Sequence, residues 1–190
     1  MKKLIILGHP AQDSFCKSIA DTYFYTARRM GQEVELLNLA SLQFDPVLHE
    51  GYKSVQILEP DLERAKDLIS WADHIIWIYP NWWGTMPALL KGFIDRVFIP
   101  GYAFKYRQNS NLWDKLLTGK SAHIYVTMDS PPWYYKWFTK MPGHHQMKRA
   151  ILQFCGISPI KITNFGPLKN SSDSQINKWL KSVEVDAARN

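Results

Sequence analysis

The stretch Leu4-Ile5-Ile6-Leu7-Gly8-His9-Pro10-Ala11-Gln12-Asp13-Ser14-Phe15-Cys16 decides the fold. Consecutive apolar residues stopped by Gly8 read as a short strand covered on both faces, because a strand with one wet face alternates polar and apolar positions. Ser14 is the natural N-cap of the helix that follows. From Phe15 to about Met30 apolar residues recur at Phe15, Ile19, Tyr23 and Ala27, which is a helical period. Arg28 and Arg29 stand near its end, where the helix dipole favours cations. Gly31 stops the helix, and Val34, Leu36, Leu37 and Leu39 form a second strand.

The alternation continues outward from this unit. A helix is expected from about Pro60 to Trp71, a strand over His74 to Tyr79, and a helix from near Pro87 to about Phe98. A strand over His123 to Thr127, a helix around Gln146 to Phe154, a strand from Ile160 to Thr163 and a closing helix from about Asp173 to Val185 complete the chain. Proline suits the start of a helix because the first amides have no internal partner. Strands alternating with helices predict an α/β fold with a parallel sheet, helices on both faces and right-handed crossovers. Gln43 to Glu59 and Ile99 to Gly119 are candidate insertions. Such sheets bind ligands beyond the carboxyl ends of their strands, where strand order reverses. The loops after the first, third and fourth strands are therefore the ones to inspect.

Length and composition agree with this reading. The chain has 190 residues, 46% hydrophobic and 21% charged, which suits one domain over residues 1–190 and excludes global disorder. Its 23 Lys and Arg against 17 Asp and Glu leave +6, favouring anionic partners. Arg28-Arg29 and Lys148-Arg149 are too short and scattered for a nucleic-acid stripe. Cys16 and Cys155 form no disulfide framework or zinc spacing; they read as buried small hydrophobes in a reducing, cytoplasmic protein. The apolar N-terminal run is too short for a signal or a membrane span. Lys91, Asp95 and Arg96 read as a solvated helix face with an i,i+4 pair.

Three loops carry the chemistry. In the first, His9 and Ser14 precede a helix N-terminus whose free amides could take a phosphate, although a serine there can also be only a cap. In the second, Pro80-Asn81-Trp82-Trp83-Gly84 sets two indoles side by side. Adjacent side chains cannot share one core, so at least one ring faces a ligand, a partner or solvent; plain loop packing with one ring partly exposed is the alternative. Backbone amides after Pro80 could address the edge of a flat heterocycle, and Gly84 would let its backbone come close. The third runs Thr127-Met128-Asp129-Ser130-Pro131-Pro132-Trp133-Tyr134-Tyr135-Lys136-Trp137-Phe138. Its aromatics suit an interface and pocket wall, or a self-contained structural loop.

These residues resemble the flavodoxin-like NAD(P)H:quinone oxidoreductases, a family that includes the DT-diaphorase type and the ancillary subunits of potassium efflux systems. The likeness rests on Leu4 to Pro10 with Ser14-Phe15, on Ala72 to Ile76, on Tyr79 to Trp83 with Pro87 to Phe98, on Gly101 to Phe104, and on Phe154-Cys155-Gly156. It implies a doubly wound five-stranded parallel sheet of order 2-1-3-4-5. It implies a homodimer with flavin sites at the subunit interface, NAD(P)H as electron donor, a quinone as acceptor, and ping-pong turnover. His9, Ser14 and Phe15 would then hold the flavin phosphate end, with Cys16 where the family often has Asn. Pro80, Asn81, Trp82 and Trp83 would line the isoalloxazine, and the loop from Thr127 would meet its pyrimidine edge. The chain departs from the family's Thr-Thr-Gly-Gly type loop, since Met128, Asp129 and Ser130 follow Thr127. A carboxylate there would oppose an anionic reduced flavin, so Asp129 is expected to point away, whereas Ser130 could donate. Tyr134, His144 and His145 are the candidate proton donors to the quinone. FMN is expected, with FAD the close alternative. A regulatory subunit docking on a membrane transporter through Trp133 to Phe138 is the rival reading.

Overall fold

The computed structural model describes residues 1–189, so Asn190, the last residue of the expected domain, lies outside the described residues. In chain order the elements are β1 (Lys3–Leu7), α1 (Phe15–Arg29), β2 (Val34–Asn38), α2 (Pro60–Trp71), β3 (His74–Pro80) and α3 (Ala88–Val97). Then come β4 (Phe104–Tyr106), β5 (Trp113–Lys115), β6 (Ser121–Thr127), α4 (Pro132–Trp137), α5 (Pro142–His145), β7 (Ile160–Phe165) and α6 (Asp173–Ala188). The main sheet has order β2-β1-β3-β6-β7 and is parallel throughout. With the small antiparallel hairpin β4-β5 set aside, this is the expected 2-1-3-4-5 order.

Strand periodicity builds two cores from one apolar run. Leu4 and Ile6 join Trp77 and Ile124 on the face covered by α2 and α3, while Ile5 and Leu7 join Ile76, Ile78 and Tyr125 under α1 and α6. Ser14 caps α1 by accepting from Lys17 N–H. At its other end Gly31, at φ +73°, lets Gln32 N–H reach back to Ala27 O. Lys3 is buried and, among the described residues, forms no ion pair with an acidic side chain. Its Nζ donates to Arg189 O (2.8 Å) and Ala187 O (3.4 Å), so its charge meets the negative end of α6.

The sequence reading misses three features. The insertion after Ile99 contains the hairpin β4-β5. The double proline opens a short helix, α4, with Pro132 at its first turn. The helix expected around Gln146 is α5 running into a π-helical stretch, Gln146–Gln153, a wider winding that periodicity does not distinguish from an α-helix.

Arg96 corrects the solvated-face expectation. Lys91 and Asp95 do pair at 2.7 Å on the surface, but the Arg96 side chain is 0% exposed. Its guanidinium donates to Asp45 O, to Ile57 O (3.0 Å) and to Glu59 Oε2 (2.8 Å), while Nε has no partner among the described residues. Beside it, a Cβ on Gly92 would sit 2.5 Å from Pro46 Cβ, so a side chain is excluded there. Arg96 and Gly92 thus lay the Gln43–Glu59 segment onto α3. Burial raises the Glu59 carboxyl pKa, but the Asp45 amide and Arg96 outweigh it and hold the group below its usual value.

Two stability predictions follow from these buried groups. Glu59→Gln leaves the Arg96 charge without its counter-ion and should cost about 3 kcal/mol, read as a lower urea midpoint at unchanged slope. Histidines supply the second. Burial, aided by Lys3, pushes His74 down to about 4, and burial, then Lys161, does the same for His123. Both rings are neutral in the folded chain near neutral pH, whereas unfolded histidine takes up its proton near pH 6.5. The unfolded state therefore binds more protons in between. Stability from this source is complete above about pH 6.5 and declines as pH falls toward 4. His74→Gln should flatten that decline in denaturation curves taken across the window.

Candidate functional site

The sheet opens its crevice between β1 and β3. The chain leaves β1 into α1 on one face, and reaches β3 from α2 on the other, so the strand ends diverge past Leu7 and Ile78. A pocket of about 170 Å³ lies there, lined by His9, Ser14, Phe15 and Cys16, by Pro80, Asn81 and Trp82, by Thr127, Met128 and Asp129, and by Leu168. Residues from all three of the expected loops meet in it.

Three short links hold these loops together. Cys16 Sγ lies 3.2 Å from Thr127 Oγ1, joining the start of α1 to the end of β6. Asn81 N–H donates to Thr127 O at 2.7 Å, and Met128 N–H to Phe165 O at 2.9 Å. Burial pushes the Cys16 thiol up to about 12, so it is a packed thiol bonded to a hydroxyl. Cys155 is buried as well and is also pushed up to about 12.

Part of the lining is a set of donors. His9 Nδ1 accepts from Ala11 N–H at 3.0 Å, so the neutral ring carries its proton on Nε2. Burial lowers the His9 pKa, partly opposed by the Ala11 bond, and keeps it neutral at neutral pH. Ser14 Oγ accepts from Lys17 N–H at 3.2 Å, which leaves its own proton to donate. The first-turn amides of α1 have no intrahelical acceptor, and the first turn holds no acidic residue. This donor set suits a phosphate at the positive end of a helix. Beside these donors, Pro80 and the Trp82 ring offer flat apolar surface, with Trp82 packed edge-on against His9 at 5.6 Å. A lining of phosphate donors and flat apolar surface suits a phosphate-bearing flavin.

The tryptophan turn differs from expectation in what it offers. Asn81 N–H is committed to Thr127 O, and Trp82 N–H to Thr85 O (2.8 Å), so these amides face protein acceptors and not a heterocycle. Trp83 (φ 52°) and Gly84 (φ +81°) are both left-handed, as in a tight hairpin turn. Trp82 is on the pocket wall, whereas Trp83 points wholly into solvent and, like Gly84, is absent from the lining. The Gly84 carbonyl turns away from the pocket residues to accept from Gly143 N–H (2.9 Å) and Tyr135 Oη–H (2.9 Å).

In the third loop Asp129 is exposed and belongs to the pocket lining, as expected of a residue on this loop; the Met128 backbone is pinned by Phe165 and Leu168 and fixes where the next residue emerges. Ser130 lies behind, its carbonyl against Gly166, and does not line the pocket.

None of the three proton-donor candidates lines it either. Tyr134 is exposed and stacked on Phe138 at 5.1 Å. His144 is buried with Nε2 2.8 Å from Asn164 Oδ1, and His145 is exposed. Two residues that matter went unremarked in the sequence. Leu168 enters from the loop after β7, reached through its N–H bond to Met128 O (3.0 Å). Tyr135 is the buried aromatic of α4, and nothing in the run Trp133-Tyr134-Tyr135 distinguishes it before the helix is placed.

Tyr135 also accepts from Gly143 N–H at 3.0 Å, so one hydroxyl bridges α5 and the tryptophan turn. Tyr135→Phe should cost about 1–2 kcal/mol in thermal or urea unfolding, since it leaves the buried Gly143 N–H and Gly84 O each one partner short.

Comparison with known proteins agrees with this geometry. The family described as having a flavodoxin-like fold matches residues 1–185. A Haemophilus influenzae protein named as an uncharacterized NAD(P)H oxidoreductase is 31% identical over 88% of this chain and 85% of its own length. NAD(P)H dehydrogenase [quinone] 1 of Cavia porcellus is 28% identical over 65% of this chain, a match that spans 55% of that protein. The crystal structure of Smu.1420 from Streptococcus mutans UA159 superimposes with a TM-score of 0.84 at 34% identity, covering 99% of each chain.

Proposed function

The chain belongs to the flavodoxin-like fold family, and on that premise we propose that it is a flavin-dependent NAD(P)H oxidoreductase acting on quinones or similar flat acceptors. The observation that carries the reading is the pocket itself, at the β1/β3 switch point, with phosphate donors and an indole wall in one lining. The names of the Haemophilus and Cavia relatives support the same class of activity.

Bound flavin would supply the two-electron chemistry, taking hydride from the nicotinamide and passing it to the acceptor. The protein's part is placement. His9 Nε2–H, Ser14 Oγ–H and the α1 amides would hold the phosphate, FMN being favoured and FAD the alternative. Trp82 and Pro80 would confine a planar ring, and the Cys16, Thr127 and Asn81 links would keep the wall rigid so that stacking distance is kept. Donor and acceptor would use the same face in turn, which is ping-pong order. The chain is expected to work as a homodimer, because Trp83, Trp133, Trp137 and Phe138 are large and exposed, and α4, which with its C-cap carries the last three, is bonded to the tryptophan turn through Tyr135. Among the described residues no helix is long and apolar enough to cross a membrane.

Reconstitution with FMN and with FAD, followed by anaerobic NADPH or NADH and then a quinone, tests the reading. A flavin spectrum that bleaches and returns, with parallel double-reciprocal lines in steady state, is the expected result. Ser14→Ala should weaken flavin retention about tenfold, losing one hydrogen bond to a charged group. Failure of both flavins to bind would overturn the proposal.

A further inference from the structure

The pocket lining contains one formally charged side chain, and it is negative. His9 is held neutral, Lys17 just beyond the lining is bound to Asp21, and the remaining lining residues are uncharged. Asp129 is exposed and, among the described residues, forms no ion pair. Its place is set by the backbone. Met128 is buried with both its N–H and its carbonyl bonded across to Phe165 and Leu168, and Gly166 lies so close that a Cβ there would come within 2.5 Å of Met128 O. The residue after Met128 is therefore brought into the pocket lining by the β6 and β7 ends together.

We propose that Asp129 is a specificity-determining residue that excludes anionic acceptors from the pocket in favour of neutral or cationic flat aromatics. The inference rests on the reductase reading of this same pocket. Among the described residues neither His9 nor Ser14 is hydrogen-bonded to Asp129, so a carboxylate in the lining leaves these donors to a phosphate. An acceptor that carries a sulfonate or carboxylate must instead bring its charge past Asp129 without a compensating cation. The overall +6 charge of the chain draws anions toward the molecule, so the discrimination is local to the pocket and opposes the long-range field. For an exposed pair a few ångströms apart in high dielectric, the penalty corresponds to about a fivefold change in affinity. It should shrink once the Debye length falls well below its value of about 8 Å at physiological salt.

The test is the ratio of dissociation constants for a naphthoquinone sulfonate and for menadione, measured by calorimetry on the oxidised, flavin-loaded protein without turnover. The wild type should bind the sulfonate more weakly than menadione. Asp129→Asn should lower that ratio about fivefold, Asp129→Lys should reverse the preference, and raised salt should diminish the wild-type ratio. Glu35→Gln makes the same change in net charge on exposed β2 and should leave the ratio where it was. Equal effects of the Asp129 and Glu35 variants, or a ratio indifferent to Asp129→Lys, would overturn the proposal while leaving the reductase reading intact. Absence of flavin binding in the wild type would instead remove the reading on which it rests, and the proposal with it.

Discussion

The structure depends on β1 being paired on both edges. Lys3 to Leu7 pair with Val34 to Asn38 on one side and with His74 to Ile78 on the other, and Leu4 to Leu7 are almost fully buried. A strand so enclosed cannot be solvated on either face, so helices must cover both. The chain meets that demand by crossing over in opposite senses, first through α1 and then through α2. The crevice at the carboxyl edge is the geometric residue of that reversal, and the pocket occupies it.

Polar groups then turn a crevice into a defined site. Thr127 is the junction: its hydroxyl meets Cys16 and its carbonyl accepts from Asn81 N–H, so the three loops cannot drift independently. Tyr135 adds a fourth anchor through the Gly84 carbonyl. The aromatic segment after Pro132 is thus split by function. Its buried member props the tryptophan turn, while Trp133, Trp137 and Phe138 remain exposed.

Much of this was legible in the linear chain because the informative signals are local. Burial on two faces leaves an unbroken apolar run at Leu4 to Leu7 and again at Ile75 to Tyr79; Ser14 and Gly31 punctuate the first helix. His9, Ser14, Pro80 and Trp82 could be named because they lie at strand ends or in the loops leaving them, and strand ends converge in a parallel sheet. The solvated reading of Arg96 failed for the converse reason. Its partners are the carbonyls of Asp45 and Ile57 and the carboxylate of Glu59, supplied by a segment with no period of its own.

The sequence by itself determined the alternation of strands and helices, the burial of the first strand on both faces and the loops that would meet beyond it. These follow from hydrophobic period and from turn residues, which each segment carries alone. The tertiary structure decided where side chains in irregular segments point. Asp129 joins the pocket lining because Phe165 and Leu168 hold the Met128 backbone; the Asn81 and Trp82 amides are spent on Thr127 and Thr85; Tyr135, and not Tyr134, is the buried ring of α4. Each outcome hangs on hydrogen bonds to residues distant in the chain or folded back by a turn, and composition and spacing carry no record of such bonds.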